Sequence, residues 1–113
     1  MMQQADIPIP ELEVFPLEDA QLVARFFQVL ADPTRVRLVK ALAEGRWCVS
    51  DLVQALEMDQ PAISHQLKYL RKLGLVDWHK DGRHVYYTLN NALLHETLHT
   101  VIEQIGIHPD NSL

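Results

Sequence analysis

At 113 residues the chain has room for one domain, and 48% hydrophobic residues permit a real core, with no apolar run long enough to span a bilayer. The single cysteine, Cys48, excludes an internal disulfide and fits a reducing cytoplasm, and no basic stretch followed by an apolar one marks a secretory signal. A net charge of −5 argues against tight nonspecific binding to nucleic acid, but residues 21–84 hold all ten Lys and Arg against seven acids, clustered at 68–72 and 80–83.

Residues 1–16 (MMQQADIPIPELEVFP) carry three prolines, acidic charge and no helical period, which predicts an extended, mobile arm. From Leu17 to Ala31 the apolar positions Leu22, Phe26, Phe27 and Leu30 predict a first helix. Asp32-Pro33 then breaks and restarts the chain, as N-cap and first helical residue of a second helix running to about Glu44 and stopped by Gly45. In that helix Val36, Val39 and Leu42 face inward, while Arg35, Arg37 and Lys40 fall on the remaining surface. A short helix from Ser50 to Leu56 buries Leu52, Val53 and Leu56.

The stretch Asp59–Leu75 (DQPAISHQLKYLRKLGL) predicts an amphipathic helix with Ile63, Leu67, Leu70 and Leu73 on its apolar face. Asp59 suits the N-cap, Pro61 the first turn and Gly74 the C′ position. Its polar face mixes cations with amide, hydroxyl and imidazole groups, a combination that suits a DNA major groove; the alternative is a solvated face of an ordinary helix. Two helices joined by about four residues, the second with a cationic polar face, have helix-turn-helix spacing. After Gly74, Leu75–His79 alternates, Lys80-Asp81-Gly82-Arg83 supplies a turn and His84–Leu89 is rich in β-formers, so a basic hairpin, a wing, follows.

On this reading Ser64, His65, Gln66 and Lys68 meet base edges or adjacent phosphates, and Gln60, Tyr69, Arg71, Lys72, Lys80 and Arg83 meet the backbone of double-stranded DNA. A last helix, Asn91–Ile105, carries Leu94, Leu98, Val101 and Ile105 at spacings of four, three and four. That stripe predicts a homodimer seam between terminal helices, the alternative being packing on its own domain. The organisation is thus an acidic arm (1–16), a mainly α winged helix-turn-helix domain with a β-hairpin (17–105) and a tail (106–113). No Gly-rich phosphate loop or nucleophile elbow points to an enzyme; a dimeric winged-helix adaptor for proteins is the other class open to such a fold.

Five runs taken together are specific. Leu30-Ala31-Asp32-Pro33-Thr34-Arg35, Trp47-Cys48-Val49-Ser50-Asp51-Leu52, Ala62-Ile63-Ser64-His65-Gln66-Leu67, Leu70-Arg71-Lys72-Leu73-Gly74-Leu75-Val76 and Gly82-Arg83-His84-Val85-Tyr86-Tyr87 keep, in order and spacing, the pattern of the ArsR/SmtB repressors, which the chain resembles over about residues 17–105. The resemblance implies a homodimeric repressor that leaves its operator when an inducer, commonly a metal ion, binds.

It also implies two kinds of sensing site, and neither is complete. Cys48 and Asp51 match one kind, but the arm has no cysteine or histidine to join them. The places of the other, on the last helix, hold Asn91, Leu93, Gln104 and Ile107, none a good zinc ligand. A replacement is written in His95, His99 and Glu103: the two imidazoles lie about 6 Å apart along the helix axis and could chelate Zn²⁺ or Ni²⁺, with Glu103 about 12 Å from His95 and His108 as a further donor. The alternative is a solvated polar stripe. Cys48 is either a redox or thiol sensor, with Arg46 beside it to lower its pKa, or a small buried apolar residue.

Overall fold

The computed structural model describes residues 13–107; residues 1–12 of the predicted arm and 108–113 of the tail, including His108, lie outside the described residues. Among the described residues five helices and three strands follow one another: α1 (Leu17–Val29), α2 (Pro33–Ala43), β1 (Trp47–Cys48), α3 (Val49–Leu56), α4 (Gln60–Lys72), β2 (Val76–Asp81), β3 (His84–Leu89) and α5 (Ala92–Gln104). Local chemistry sets the helix starts. Asp32 accepts the Arg35 N–H at 3.0 Å, Asp59 that of Ala62 at 3.2 Å and Asn91 that of Leu94 at 2.8 Å. Each side chain thereby pairs one of the amides that a helix N-terminus leaves without a partner. Between α3 and α4 the chain turns at Glu57, which takes a left-handed conformation (φ 54°). Gly74, at φ 72°, ends α4 where a side chain would be strained.

The three strands form an antiparallel sheet in the order β1-β3-β2. Two features differ from the sequence-based expectation. Trp47 and Cys48, opposite Tyr87 and Tyr86, add a strand that two residues are too few to announce by alternation. In the hairpin, Asp81 still pairs with His84, so Gly82 and Arg83 form the turn rather than Asp81 and Gly82. Gly82 has φ 66°, which the first central position of a primed two-residue turn requires.

The core draws Leu38, Val39 and Leu42 from α2, Leu52 from α3, Ile63, Leu67 and Leu70 from α4, and Leu94 and Leu98 from α5. Trp47 donates from its indole N–H to the Ala41 carbonyl at 2.9 Å, tying β1 to α2. Two apolar expectations need correction. Leu73 is half exposed, because α4 turns it past the edge of the core. Leu94 and Leu98, placed in a dimer seam by their spacing, are 0% and 5% exposed within the single chain and belong to its own core. The exposed apolar residues of α5 are Leu93 and Val101, with Ile105 just beyond its end, and α1 adds Leu17, Leu22, Val23 and Phe27.

Candidate nucleic-acid interface

Helix α4 packs by one face only. Ile63, Leu67 and Leu70 are buried, so at 3.6 residues per turn His65, Lys68 and Lys72 occupy the opposite, exposed side. The two flanks between these faces differ. On one, Ser64, Lys68, Arg71 and Lys72 line a groove of ≈ 510 Å³ together with Val49 and Tyr87, which lie on α3 and β3. On the other, Gln66 and Tyr69 are partly buried and turn toward α2. There the Arg35 side chain donates to the Gln66 amide oxygen at 3.4 Å and lies over the Tyr69 ring at 4.3 Å. The polar face alone assigns both residues to DNA; in the fold, Arg35 holds them at the edge of that face.

Cation–aromatic contacts tie the wing to α4 and to the link after α2. Arg71 stacks on Trp78 of β2, 4.3 Å from the ring centroid. Arg46, beyond α2, lies 4.3 Å from the Tyr86 centroid, contacts His79 Nε2 at 3.2 Å and pairs with Asp81 at 3.3 Å. Lys80 and Arg83 are exposed, Arg83 in the turn itself and Lys80 on β2 opposite Val85. Gln60, at the start of α4, shares with Arg83, His84 and Cys48 a second groove of ≈ 640 Å³ between α3 and the hairpin. Among the described residues no salt bridge engages Lys68, Arg71, Lys72, Lys80 or Arg83, so five cations on helix and hairpin lack an acidic partner there. The roles of Trp78, Arg35 and Arg46 are not legible from the sequence. The α4 partners of Arg35 and the wing partners of Arg46 lie more than thirty residues away, and alternation sets Trp78 on the side of the buried Val76, so it gives no sign of an exposed contact with Arg71.

The sensing residues are placed more loosely. Cys48 is 4% exposed, with its Sγ 3.2 Å from the Ser50 hydroxyl. Arg46 contacts His79 and Asp81 of the wing rather than this thiol. His95, His99 and Glu103 are exposed along α5, and His99 Nε2 lies 3.3 Å from the Glu103 carboxylate. A small cavity of ≈ 60 Å³ is lined by His95, His99 and, from α2 and its C-cap, Lys40 and Glu44, the last two paired with each other. Among the described residues no group of three or more His, Cys, Asp or Glu is gathered as a metal shell. The helix therefore offers an imidazole pair one turn apart, and the described residues of one chain supply no complete site.

The sequence model for the family described as "Bacterial regulatory protein, arsR family" matches residues 32–77, from the cap of α2 to the start of the wing. The "Transcriptional repressor SmtB homolog" of Synechocystis sp. is 49% identical over 77 residues, 68% of this chain and 58% of that protein, so the match spans less than two thirds of that relative. The "HTH-type transcriptional regulator NmtR" of Mycobacterium tuberculosis is 40% identical over 83 residues, covering 74% of this chain and 69% of the relative. Among solved structures, the "AntR antimony-specific transcriptional repressor" superposes with a TM-score of 0.76 at 27% identity, covering 93% of each chain. The relatives are regulators of transcription, not enzymes. Caps, helix pair, hairpin and sequence all lead to one conclusion: the chain belongs to the arsR family of bacterial regulatory proteins.

Proposed function

We propose that the chain is a transcriptional repressor acting in the cytoplasm as a homodimer, with α4 and the wing of each copy on double-stranded operator DNA. The observation that carries this reading is a set of five exposed cations, Lys68, Arg71 and Lys72 on α4 and Lys80 and Arg83 on the hairpin that follows it, in a protein whose net charge is −5. Among the described residues no salt bridge engages any of them. A cation without a local partner is available to replace the counterions of phosphate. Ser64, His65 and Lys68 are the side chains best turned toward base edges, with Gln60, Arg71, Lys72, Lys80 and Arg83 on the backbone. The exposed apolar residues of α1 and α5 supply the self-complementary surface for pairing, which would set two copies of α4 about one DNA turn apart.

For the inducer, our reading is a divalent ion such as Zn²⁺ or Ni²⁺ gripped by His95 and His99, with Glu103 beside them. The chelating interval of the two imidazoles supports it; the antimony for which the AntR repressor is named supports an inorganic inducer in general and not this choice of ion. The metal would supply a bond between neighbouring turns of α5 and toward whatever donor completes the shell. The test is a mobility shift on duplex DNA taken from immediately upstream of the chain's own gene, at low and at moderate salt. A shift that weakens steeply with salt is the expected result; no shift at low salt would favour an adaptor for proteins instead.

A further inference from the structure

We propose that Arg35 is a positioning residue that locks the recognition helix α4 to the terminal helix α1, and thereby sets the spacing of the two half-sites a dimer reads. The proposal rests on the reading of the chain as a dimeric DNA-binding protein. Helix α1 is otherwise weakly held. Val29 is its one buried residue, Phe26 and Leu30 are partly buried, and Leu17, Leu22, Val23 and Phe27 stay exposed. Helix α1 therefore joins the domain through its last turn, where the Gln28 carbonyl accepts from the Ala31 N–H at 3.2 Å and the Val29 carbonyl lies beyond the last helical bond.

The Arg35 guanidinium reaches those carbonyls from α2. Its Nε donates to the Val29 oxygen at 3.0 Å and Nη2 to the Gln28 oxygen at 3.0 Å. The same group donates from Nη1 to Gln66 and covers the ring of Tyr69 on α4. Its own backbone is fixed by the Asp32 cap. One planar fork thus bonds the end of α1 along one edge and a side-chain amide of α4 at another, with its face on an aromatic ring. A lysine ammonium has neither the fork nor the plane to do all of this at once.

The placement on α4 separates this role from DNA reading itself. Gln66 and Tyr69 lie on the flank toward α2, whereas Ser64, Lys68 and Arg71 line the groove on the other. Loosening Arg35 leaves the base-facing side chains on their helix and frees the angle between α4 and α1. If the exposed face of α1 joins two copies, that angle fixes how far apart the two recognition helices stand.

The experiment is a binding selection from a library of random-sequence duplexes, performed with the wild-type chain, Arg35→Lys, Tyr69→Leu and Tyr69→Phe, each first checked for cooperative melting. The wild type and Tyr69→Phe, which keeps the ring, are expected to enrich inverted repeats with one centre-to-centre spacing. Arg35→Lys and Tyr69→Leu are expected to enrich the same half-site with spacings spread over adjacent values, and to bind the wild-type sites about fivefold more weakly. Variants that retain a single spacing would overturn the proposal, and so would a changed half-site sequence, which would mean that these residues read bases. Should Arg35→Lys fail to melt cooperatively, Tyr69→Leu decides between the same outcomes, and Gln66→Ala takes its place if it also fails. A wild type that enriches no duplex at all would instead sink the repressor reading.

Discussion

Arg71 and Trp78 stack across the junction between helix α4 and strand β2, with the guanidinium carbon 4.3 Å from the indole centroid. The contact explains an exposed tryptophan. Trp78 is 50% exposed on a strand whose residues beyond Val76 all face solvent, and its covered face is the one that Arg71 occupies. A cation held over a ring keeps its charge while losing rotamer freedom, so it meets a phosphate already oriented.

Replacing Trp78 with Ala should therefore weaken DNA binding about two- to fivefold, the worth of an exposed cation–π contact, without changing the number of ions released. Arg71→Ala removes the charge itself, and should lower the slope of log affinity against log salt by about 0.9. Anisotropy titrations of a labelled duplex at several salt concentrations separate the two cases. Equal slopes for wild type and Arg71→Ala would take Arg71 off the phosphate.

Arg83 sits in the two-residue turn of the hairpin, exposed, and no salt bridge among the described residues holds it. Arg83→Ala should weaken binding to all sequences alike, with a slope again reduced by about one, and leave sequence preference unchanged. A loss confined to one operator sequence would show that the wing reads a base in the minor groove rather than the backbone.

Much of this interface is legible from residues alone, for a physical reason. Helix α4 carries its own cap, its own stop and three buried apolar residues within one short stretch, so local signals suffice to place its faces. Strand β1 escapes such a reading because two residues show no alternation, and its existence depends on a partner almost forty positions away. The stripe on α5 is real, but spacing gives it one destination where the fold divides it between core and exposed surface. Leu94 and Leu98 fill the chain's own core, while Leu93, Val101 and Ile105 remain outside, and periodicity does not distinguish the two destinations. Charge on the outer side of a helix ordinarily faces solvent, so the sequence places Arg35 there; its carbonyl, amide and ring partners come from α1 and α4.

The same distinction predicts stabilities. Leu70, on the core side of α4, is 0% exposed, whereas Leu73 just beyond the helix is 49% exposed. Leu70→Ala should cost about 2–5 kcal/mol of unfolding free energy, the range for emptying a leucine site in a packed interior. Leu73→Ala should stay within about 1 kcal/mol of wild type. Urea unfolding followed by far-ultraviolet dichroism measures both, and a comparable loss at the two sites would contradict the orientation of α4.

The imidazole pair on α5 gives a prediction for release. Zn²⁺ or Ni²⁺ added to the wild-type complex should dissociate it from DNA, while a chain carrying both His95→Ala and His99→Ala should stay bound at the same metal concentration. Cys48→Ser, which alters a buried thiol beside Ser50, should respond to metal as the wild type does. Release of the double variant by metal would move the sensing site away from α5, and release by a thiol oxidant alone, lost in Cys48→Ser, would move it to the cysteine.

Dimerisation can be tested where the apolar surface is exposed rather than where spacing first places it. Phe27 on α1 is 53% exposed and Val101 on α5 43%, against 0% for Leu94. A carboxylate introduced at Phe27 or Val101 stays hydrated in the single chain, so folding is little affected. In a symmetric pair each would meet its own copy or a desolvated apolar wall, at a cost of several kcal/mol. Phe27→Asp and Val101→Asp should therefore run as folded monomers in light-scattering chromatography at micromolar concentration, where the wild type is expected to run as a dimer. Leu94→Asp should instead lose its fold, because the charge then has no route to water. Folded dimers of both surface variants would place the twofold contact elsewhere and remove the structural basis for two recognition helices set one DNA turn apart.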